Sequence, residues 1–181
     1  MRPPATGTTT KHHALPPATG TTQRLDIMET GLDLQHILEI ALRAHKGQKD
    51  LDGKPYILHP LAVGLMGSDD LEMAVGFLHD TVEDTAMTYD DLRAEGVPEE
   101  VIEALRLCTR PREMPYDDYL TRILESGNRT AIRVKMNDLR HNLERGRLSE
   151  RNNPDPELRE RLRRINEKHE KAMRRFEGAE G

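Results

Sequence analysis

Four residues of this sequence could hold a metal ion between them: His59, His79, Asp80 and Asp138. Two neutral imidazoles with two carboxylates balance a divalent charge, and the mixed nitrogen and oxygen set suits manganese, iron or zinc better than calcium. Each residue also has a plainer reading. His79 falls on the apolar stripe Leu71, Ala74, Val75 and Leu78, which is where an ordinary core histidine sits. Asp138 shares a helical face with Ala131 and Val134, and a carboxylate aimed at a core costs several kcal/mol unless it is paired or bound to metal. A salt bridge to Arg133 or Lys135 answers that cost as well as a metal does. His59 precedes Pro60, a context that biases its backbone toward extended conformations and predicts a late start for the next helix. Glu83 lies one helical turn beyond His79, close enough for its carboxylate to take a proton from water at such a site. A solvated helix end accounts for it equally. The four residues have no fixed spacing, so the pattern alone leaves these readings open.

The elements that must position them are helical. Leu34, Ile37, Leu38, Ala41, Leu42 and His45 form one stripe of a 3.6-residue period, which predicts a helix ending near Lys46. Residues 47–55 are polar with two glycines and a proline, a loop that feeds a new element at Tyr56 and is a candidate substrate contact. A helix follows the Ser68–Asp69 cap and carries its stripe through His79 to Val82; another follows Pro98 with Val101, Ala104, Leu105 and Cys108. Tyr116, Tyr119, Leu120, Ile123 and Leu124 mark the next, then Ala131, Val134, Asp138 and Asn142. The last carries Leu158, Leu162, Ile165, His169, Met173 and Phe176 beneath an Arg/Lys face that also holds Glu, a solvated amphipathic pattern rather than an RNA surface. No stretch alternates as a strand does, so the expected fold is all-α.

The chain has 181 residues, enough for one domain with a real core. At 35% hydrophobic and 33% charged residues with a net charge of -5, it has no overall basic field for DNA or RNA. Cys108 is the only cysteine, which excludes an intramolecular disulfide and a cysteine-cluster zinc site. With no long apolar run and no apolar block after the first basic residues, no membrane association is expected and the cytoplasm is the default location. The segment Pro3-Pro4-Ala5-Thr6-Gly7-Thr8-Thr9 recurs as Pro16-Pro17-Ala18-Thr19-Gly20-Thr21-Thr22. Such composition cannot offset the entropy of ordering, so residues 1–31 read as a disordered tail, with Met28 an alternative start, 32–176 as the domain and 177–181 as a short tail.

Several segments, taken together, resemble a known family. His79-Asp80-Thr81-Val82-Glu83-Asp84-Thr85 resembles the HDTVEDT signature of the RelA/SpoT-type alarmone hydrolases, and especially their stand-alone small members. Ala44–Gln48, Gly53–Pro60 and Val134–Leu143 are similar to the family's other landmarks, in the right order, over roughly residues 34–146. The resemblance implies an HD-domain bundle of about seven to nine helices. It makes His59, His79, Asp80 and Asp138 the ligands of a manganese ion and Glu83 with Asp84 the acidic pair that orients and deprotonates water. The implied reaction removes the 3′-pyrophosphate of guanosine tetra- or pentaphosphate. Asn142 matches a nucleotide-contacting Asn, and Arg145 stands near a position that touches the nucleotide in relatives. Lys49, Lys54 and Arg43 are further basic candidates, and Tyr56 could stack on a base or sugar; surface charge and plain packing are the competing readings.

In relatives the loop after Gly-Gln carries an aromatic and then an Arg-Lys pair, whereas this chain has Lys49, Asp50 and Leu51 at the matching places. An aspartate cannot stack as a planar cation, and its charge near a polyphosphate costs binding. A loosened base preference is therefore expected. The competing functions are hydrolysis of an adenine alarmone, a pyrophosphorylated RNA end or NADPH, and a non-catalytic nucleotide sensor. Expected partners are the small nucleotide alone or, through its product, a cognate alarmone synthetase or toxin.

Overall fold

The computed structural model describes residues 31–179. The expectation of a tail over 1–31, with its repeat, lies outside the described residues save for Gly31. Among the described residues nine helical segments follow one another: α1 (Leu34–Ala44), α2 (Leu58–Leu65), α3 (Asp70–Leu78), α4 (Thr81–Asp84), α5 (Tyr89–Ala94), α6 (Glu99–Cys108), α7 (Tyr116–Glu125), α8 (Arg129–Asn152) and α9 (Pro156–Glu177). The fold is all-α; among the described residues the only β pairing is an isolated bridge between Lys49 and Pro55.

Local chemistry starts these helices where the chain needs them. Asp33, Asp69, Asn128 and Asp155 each accept a hydrogen bond from a backbone N–H of the first turn, and Thr88 forms a reciprocal capping box with Asp91. Pro156 occupies the first turn of α9, where its missing N–H costs nothing. The predicted stripes are largely buried, including Ile37 and Ala41 of α1, Leu105 of α6, Ile123 of α7 and Phe176 of α9, but Leu42 of the α1 stripe is exposed and Ile40, outside it, is buried. Burial of such side chains stabilises by about 1.5–3 kcal/mol each.

α3 is the hub, packed against α1, α2, α6 and α8, while α9 lies along α8. Two glycines let α2 and α3 touch backbone to backbone. A Cβ on Gly76 would stand 2.6 Å from Gly64 Cα, and one on Gly64 would stand 2.2 Å from the Phe77 ring. That close crossing holds His59 of α2 beside His79 at the end of α3. A similar approach joins α8 to α9, where a Cβ on Gly146 would meet Asn166 Oδ1 at 2.0 Å; Asn166 donates its Nδ2 to Glu150 Oε2 at 2.9 Å.

Three expectations are corrected. His59 lies inside α2 rather than in an extended segment before it, because Pro60 falls in the first helical turn and there disrupts no i→i−4 bond. The helix expected to run from Ser68 to Val82 ends at Leu78; His79 caps it and Thr81 starts the short α4. That break turns Asp80 and Glu83 away from a single continuous face. α5 is an additional helix within the segment before Pro98.

We expect Gly76→Ala to destabilise the protein by about 1–3 kcal/mol through overpacking at the α2–α3 crossing. Urea unfolding measures this, and wild-type stability would show that the two helices separate freely.

Candidate functional site

The four candidate metal ligands converge. His59 Nε2 lies 3.4 Å from Asp80 Oδ2 and 3.2 Å from Asp138 Oδ1, and His79 Nε2 lies 3.1 Å and 3.7 Å from the same two atoms. One ligand atom each from His59, His79 and Asp80 falls within 4.8 Å of the others, the spacing of groups that share a cation. α2 supplies His59, the α3–α4 junction His79 and Asp80, and the middle of α8 Asp138.

The surroundings fix which atoms face inward. His79 Nδ1 donates to the carbonyl of Gly76 at 2.8 Å, leaving Nε2 buried with no hydrogen-bond partner and its lone pair aimed at two carboxylates. Lone pairs facing one another in a desolvated pocket repel unless a cation or a proton lies between them, so the donor set fits a divalent metal. His59 Nδ1 is 2.7 Å from His141 Nδ1, one ring donating to the other, which again turns Nε2 toward the carboxylates. Burial, His59 and Arg145 lower the His141 pKa to about 4, keeping it neutral. With no cation bound, burial lowers the His79 pKa, but Asp80 and Asp138 outweigh it and hold the imidazole well above its ordinary value. The cluster thus draws in positive charge of some kind.

Asp138 is the most constrained member. Lys135 Nζ bonds its Oδ2 at 2.7 Å and Asn142 Nδ2 donates to its Oδ1 at 2.6 Å. Burial alone would raise its pKa; Lys135 and the two histidines hold it well below the usual carboxylate range. Salt bridge and histidine cluster are therefore both present, and the two readings of Asp138 are not alternatives. Tyr56 donates its hydroxyl to Asp80 Oδ2 at 2.5 Å and lies 3.2 Å from Asp84 Oδ2.

These residues floor a cavity of about 460 Å³. Glu83 stands at its mouth, its Oε2 accepting the backbone N–H of Arg110 at 2.9 Å. Partial burial raises the Glu83 pKa against the lowering effect of that bond, and Asp80 and Asp84 raise it further; Asp84 is raised by burial and Asp80. Lys49 and Arg145 line the cavity, but Arg145 Nη2 is bound to Asp50 Oδ2 at 2.6 Å.

Several sequence expectations change here. Lys54 is exposed and outside the cavity lining, and Arg43 pairs instead with Glu95 at 2.8 Å. Tyr56 is committed to the two aspartates rather than presented as a stacking platform, and Asn142 holds Asp138. Asp50 does not face the cavity as a bare charge, because Arg145 neutralises it. Sequence reasoning missed Arg110, Lys135 as a lining residue, and Ile165, Asn166 and His169 of α9. His169 and Ile165 were legible only as part of an apolar stripe. The Ala44–Gln48 landmark acts structurally: His45 Nδ1 pairs with Gln48 Oε1 at 2.7 Å and Gln48 Nε2 donates to the Asp84 carbonyl at 2.8 Å.

No family model matches the chain. Over 66 residues it is 44% identical to the GTP pyrophosphokinase of Streptomyces coelicolor, a match to 34% of this chain and 8% of that protein. Over 65 residues it is 40% identical to the guanosine-3′,5′-bis(diphosphate) 3′-pyrophosphohydrolase of Aquifex aeolicus, covering 34% and 9%. A solved structure of a metazoan SpoT ortholog that hydrolyses ppGpp superposes with a TM-score of 0.55 at 21% identity, over 82% of this chain and 95% of that one. Over about a third of its length the chain is similar in sequence to RelA/SpoT-type proteins, and over most of it similar in fold to the SpoT ortholog. Its fold is therefore the helical HD bundle, while the stretch it shares with the RelA/SpoT-type relatives spans under a tenth of each curated protein's length.

We expect Lys135→Met to destabilise the metal-free protein by about 3–5 kcal/mol, because it strands a buried carboxylate. Added manganese should restore part of the loss by binding only the folded state. Urea unfolding with and without the ion checks this, and an unchanged midpoint in chelator would remove Lys135 from the charge balance.

Proposed function

We propose that the protein is a metal-dependent hydrolase that removes the 3′-pyrophosphate of guanosine tetra- or pentaphosphate. The observation that carries the reading is the unpartnered, buried His79 Nε2 facing Asp80 and Asp138, with His59 completing the set. The similarity to a 3′-pyrophosphohydrolase and the shared HD fold support the same conclusion. Manganese is the proposed ion, other divalent transition metals being compatible with the ligands. Held by His59, His79, Asp80 and Asp138, the ion would make water more acidic and offset charge on the phosphoryl oxygens.

The protein's own groups do the rest. Glu83, its carboxyl pKa raised by partial burial and open to the cavity mouth, takes a proton from the attacking water, and Asp84 with Tyr56 orients it. The water oxygen bonds to the phosphorus attached to the 3′ oxygen, that bond breaks, and the departing 3′ oxygen is protonated. Pyrophosphate leaves. Lys49, Arg110, Asn142 and Arg145 line the same cavity and are the proposed substrate contacts. The reading includes a cytoplasmic enzyme of the stand-alone small alarmone hydrolase kind, built on a domain over 32–176, acting in the stringent response and opposing an alarmone synthetase or toxin through its product. Among the described residues no helix is long and apolar enough to cross a membrane.

The direct test incubates the full chain with manganese and guanosine tetraphosphate and resolves the products by ion exchange; release of phosphate alone, or no turnover with any divalent ion, would overturn the proposal. His59→Ala and Asp80→Ala should lose metal and activity together. Glu83→Gln should keep metal and fold while losing most turnover, since an amide keeps the shape but takes no proton. Metal content and rate measured on one sample separate the two behaviours.

Base selection follows from the loop. Asp50 and Leu51 offer no cation to stack on a guanine, so guanosine and adenosine alarmones should be turned over with similar kcat/KM. A guanosine preference above about a hundredfold, nearly 3 kcal/mol of discrimination, would refute this.

A further inference from the structure

The loop between α1 and α2 forms one wall of the cavity with the second half of α8. Two contacts dock it: Arg145 Nη2 to Asp50 Oδ2 at 2.6 Å, and Ser149 Oγ to Asp52 Oδ2 at 2.7 Å. The Asp50 carboxylate is the anchor. Its Oδ1 accepts the backbone N–H groups of Asp52 and Lys54 at 2.9 and 2.8 Å, so both of its oxygens are engaged. Its side chain is 7% exposed against 30% for Arg145. Gly53, at φ 77, supplies the left-handed turn that folds the loop back over the carboxylate.

The formal charges on this wall cancel, Lys49 and Arg145 standing against Asp50 and Asp52. The candidate metal-ligating cluster, with Arg110 and Lys135, lies elsewhere in the same cavity, on α2, the α3–α4 junction, the α6–α7 loop and the first half of α8. A ligand with one charged end and one neutral end would place its charge at the cluster. A second anionic group on the loop wall would meet a guanidinium whose charge is already offset at hydrogen-bond distance.

We propose that Asp50 is a specificity-determining residue that neutralises Arg145, so that the loop wall accepts the uncharged part of a nucleotide and gives no advantage to a second phosphate group. The proposal rests on the nucleotide reading above. It assigns a direction to the ligand: the reacting 3′ group at the cluster and the sugar and base toward the wall. The wall reads the number of phosphates, a property separate from the base.

The test is a charge cycle read by calorimetry on the full chain loaded with manganese, using adenosine 3′-monophosphate and adenosine 3′,5′-bisphosphate as probes. The readout is the ratio of the two Kd values. The wild type should bind both within about threefold of each other. Asp50→Asn keeps the Oδ1 acceptor and frees Arg145, and should favour the bisphosphate by about tenfold, as one charge-assisted contact would. Arg145→Gln strands Asp50 and should disfavour the bisphosphate by a similar factor, and the double variant should return to the wild-type ratio. A merely structural role for the pair would move both single variants in the same direction, and that result overturns the proposal. So does a wild type that already prefers the bisphosphate tenfold. If neither nucleotide binds, the nucleotide reading falls and this proposal with it; if both bind with the wrong ratios, only this proposal falls. Thermal melts of each variant confirm that folded protein is compared, and should one single variant fail to fold, the sign of the shift in the other still decides.

Discussion

A carboxylate buried at the middle of a helix has to be neutralised, and the candidate site is organised around that requirement at Asp138. Left unpaired in a desolvated core, its charge would cost several kcal/mol. Lys135 one turn back and Asn142 one turn on occupy both of its oxygens, and His59 and His79 press against the same group. Lys135 is itself buried beneath the rings of Tyr119 and Tyr116, 5.3 and 6.0 Å away, so its charge depends on Asp138 in turn. The pair is mutually obligatory. It leaves Asp138 Oδ1 and Asp80 facing two imidazoles with too little positive charge, a deficit that a divalent cation would fill.

Bringing four candidate ligands to one point is a matter of backbone approach. α3 must run close enough to α2 for His79 to meet His59, and Gly64 and Gly76 remove the side chains that would prevent it. α3 must then stop at once, because a continuous helix would send Asp80 and Glu83 around its circumference. The break after Leu78 and the four-residue α4 place Asp80 at the cluster and Glu83 at the mouth. His45 and Gln48, far earlier in the chain, hold the end of α4 by its Asp84 carbonyl.

Most of the helical scaffold was legible because periodicity reports burial, and burial is what the core enforces. Ile37, Leu105, Ile123 and Phe176 sit where their stripes predict. The ligand set was less legible on physical grounds, since four residues at unequal intervals carry no period, and only the resemblance singled them out. Local rules misplaced His59: the residue before a proline is usually extended, yet Pro60 in the first turn of α2 is compatible with a helix. The α9 wall escaped notice for a different reason. Ile165 and His169 fall on the same stripe as Met173 and Phe176, and nothing in a one-dimensional pattern tells a position that meets the core from one that meets a cavity. Pairing across the chain is likewise invisible to it, so Asp50 read as an unfavourable charge beside phosphate until Arg145, on another element, was found against it.

That last case bears on how the cavity tolerates its own charges. Asp80, Glu83, Asp50, Asp52 and Asp138 border one space of about 460 Å³, a density of carboxylates that would repel any phosphate if it acted as a single field. It does not act so, because each is answered locally: Asp138 by Lys135, Asp50 by Arg145, Asp52 by the Ser149 hydroxyl, Glu83 by the Arg110 N–H and Asp80 by the Tyr56 hydroxyl and the histidines. Short-range pairing confines each charge to within a few ångströms of its partner in a low-dielectric pocket. At the floor, the buried Nε2 of His79 has no hydrogen-bond partner. A phosphate approaching this cavity would meet carboxylates that are each hydrogen-bonded or paired, and a cation seated beside His79 would supply the attraction that the walls withhold.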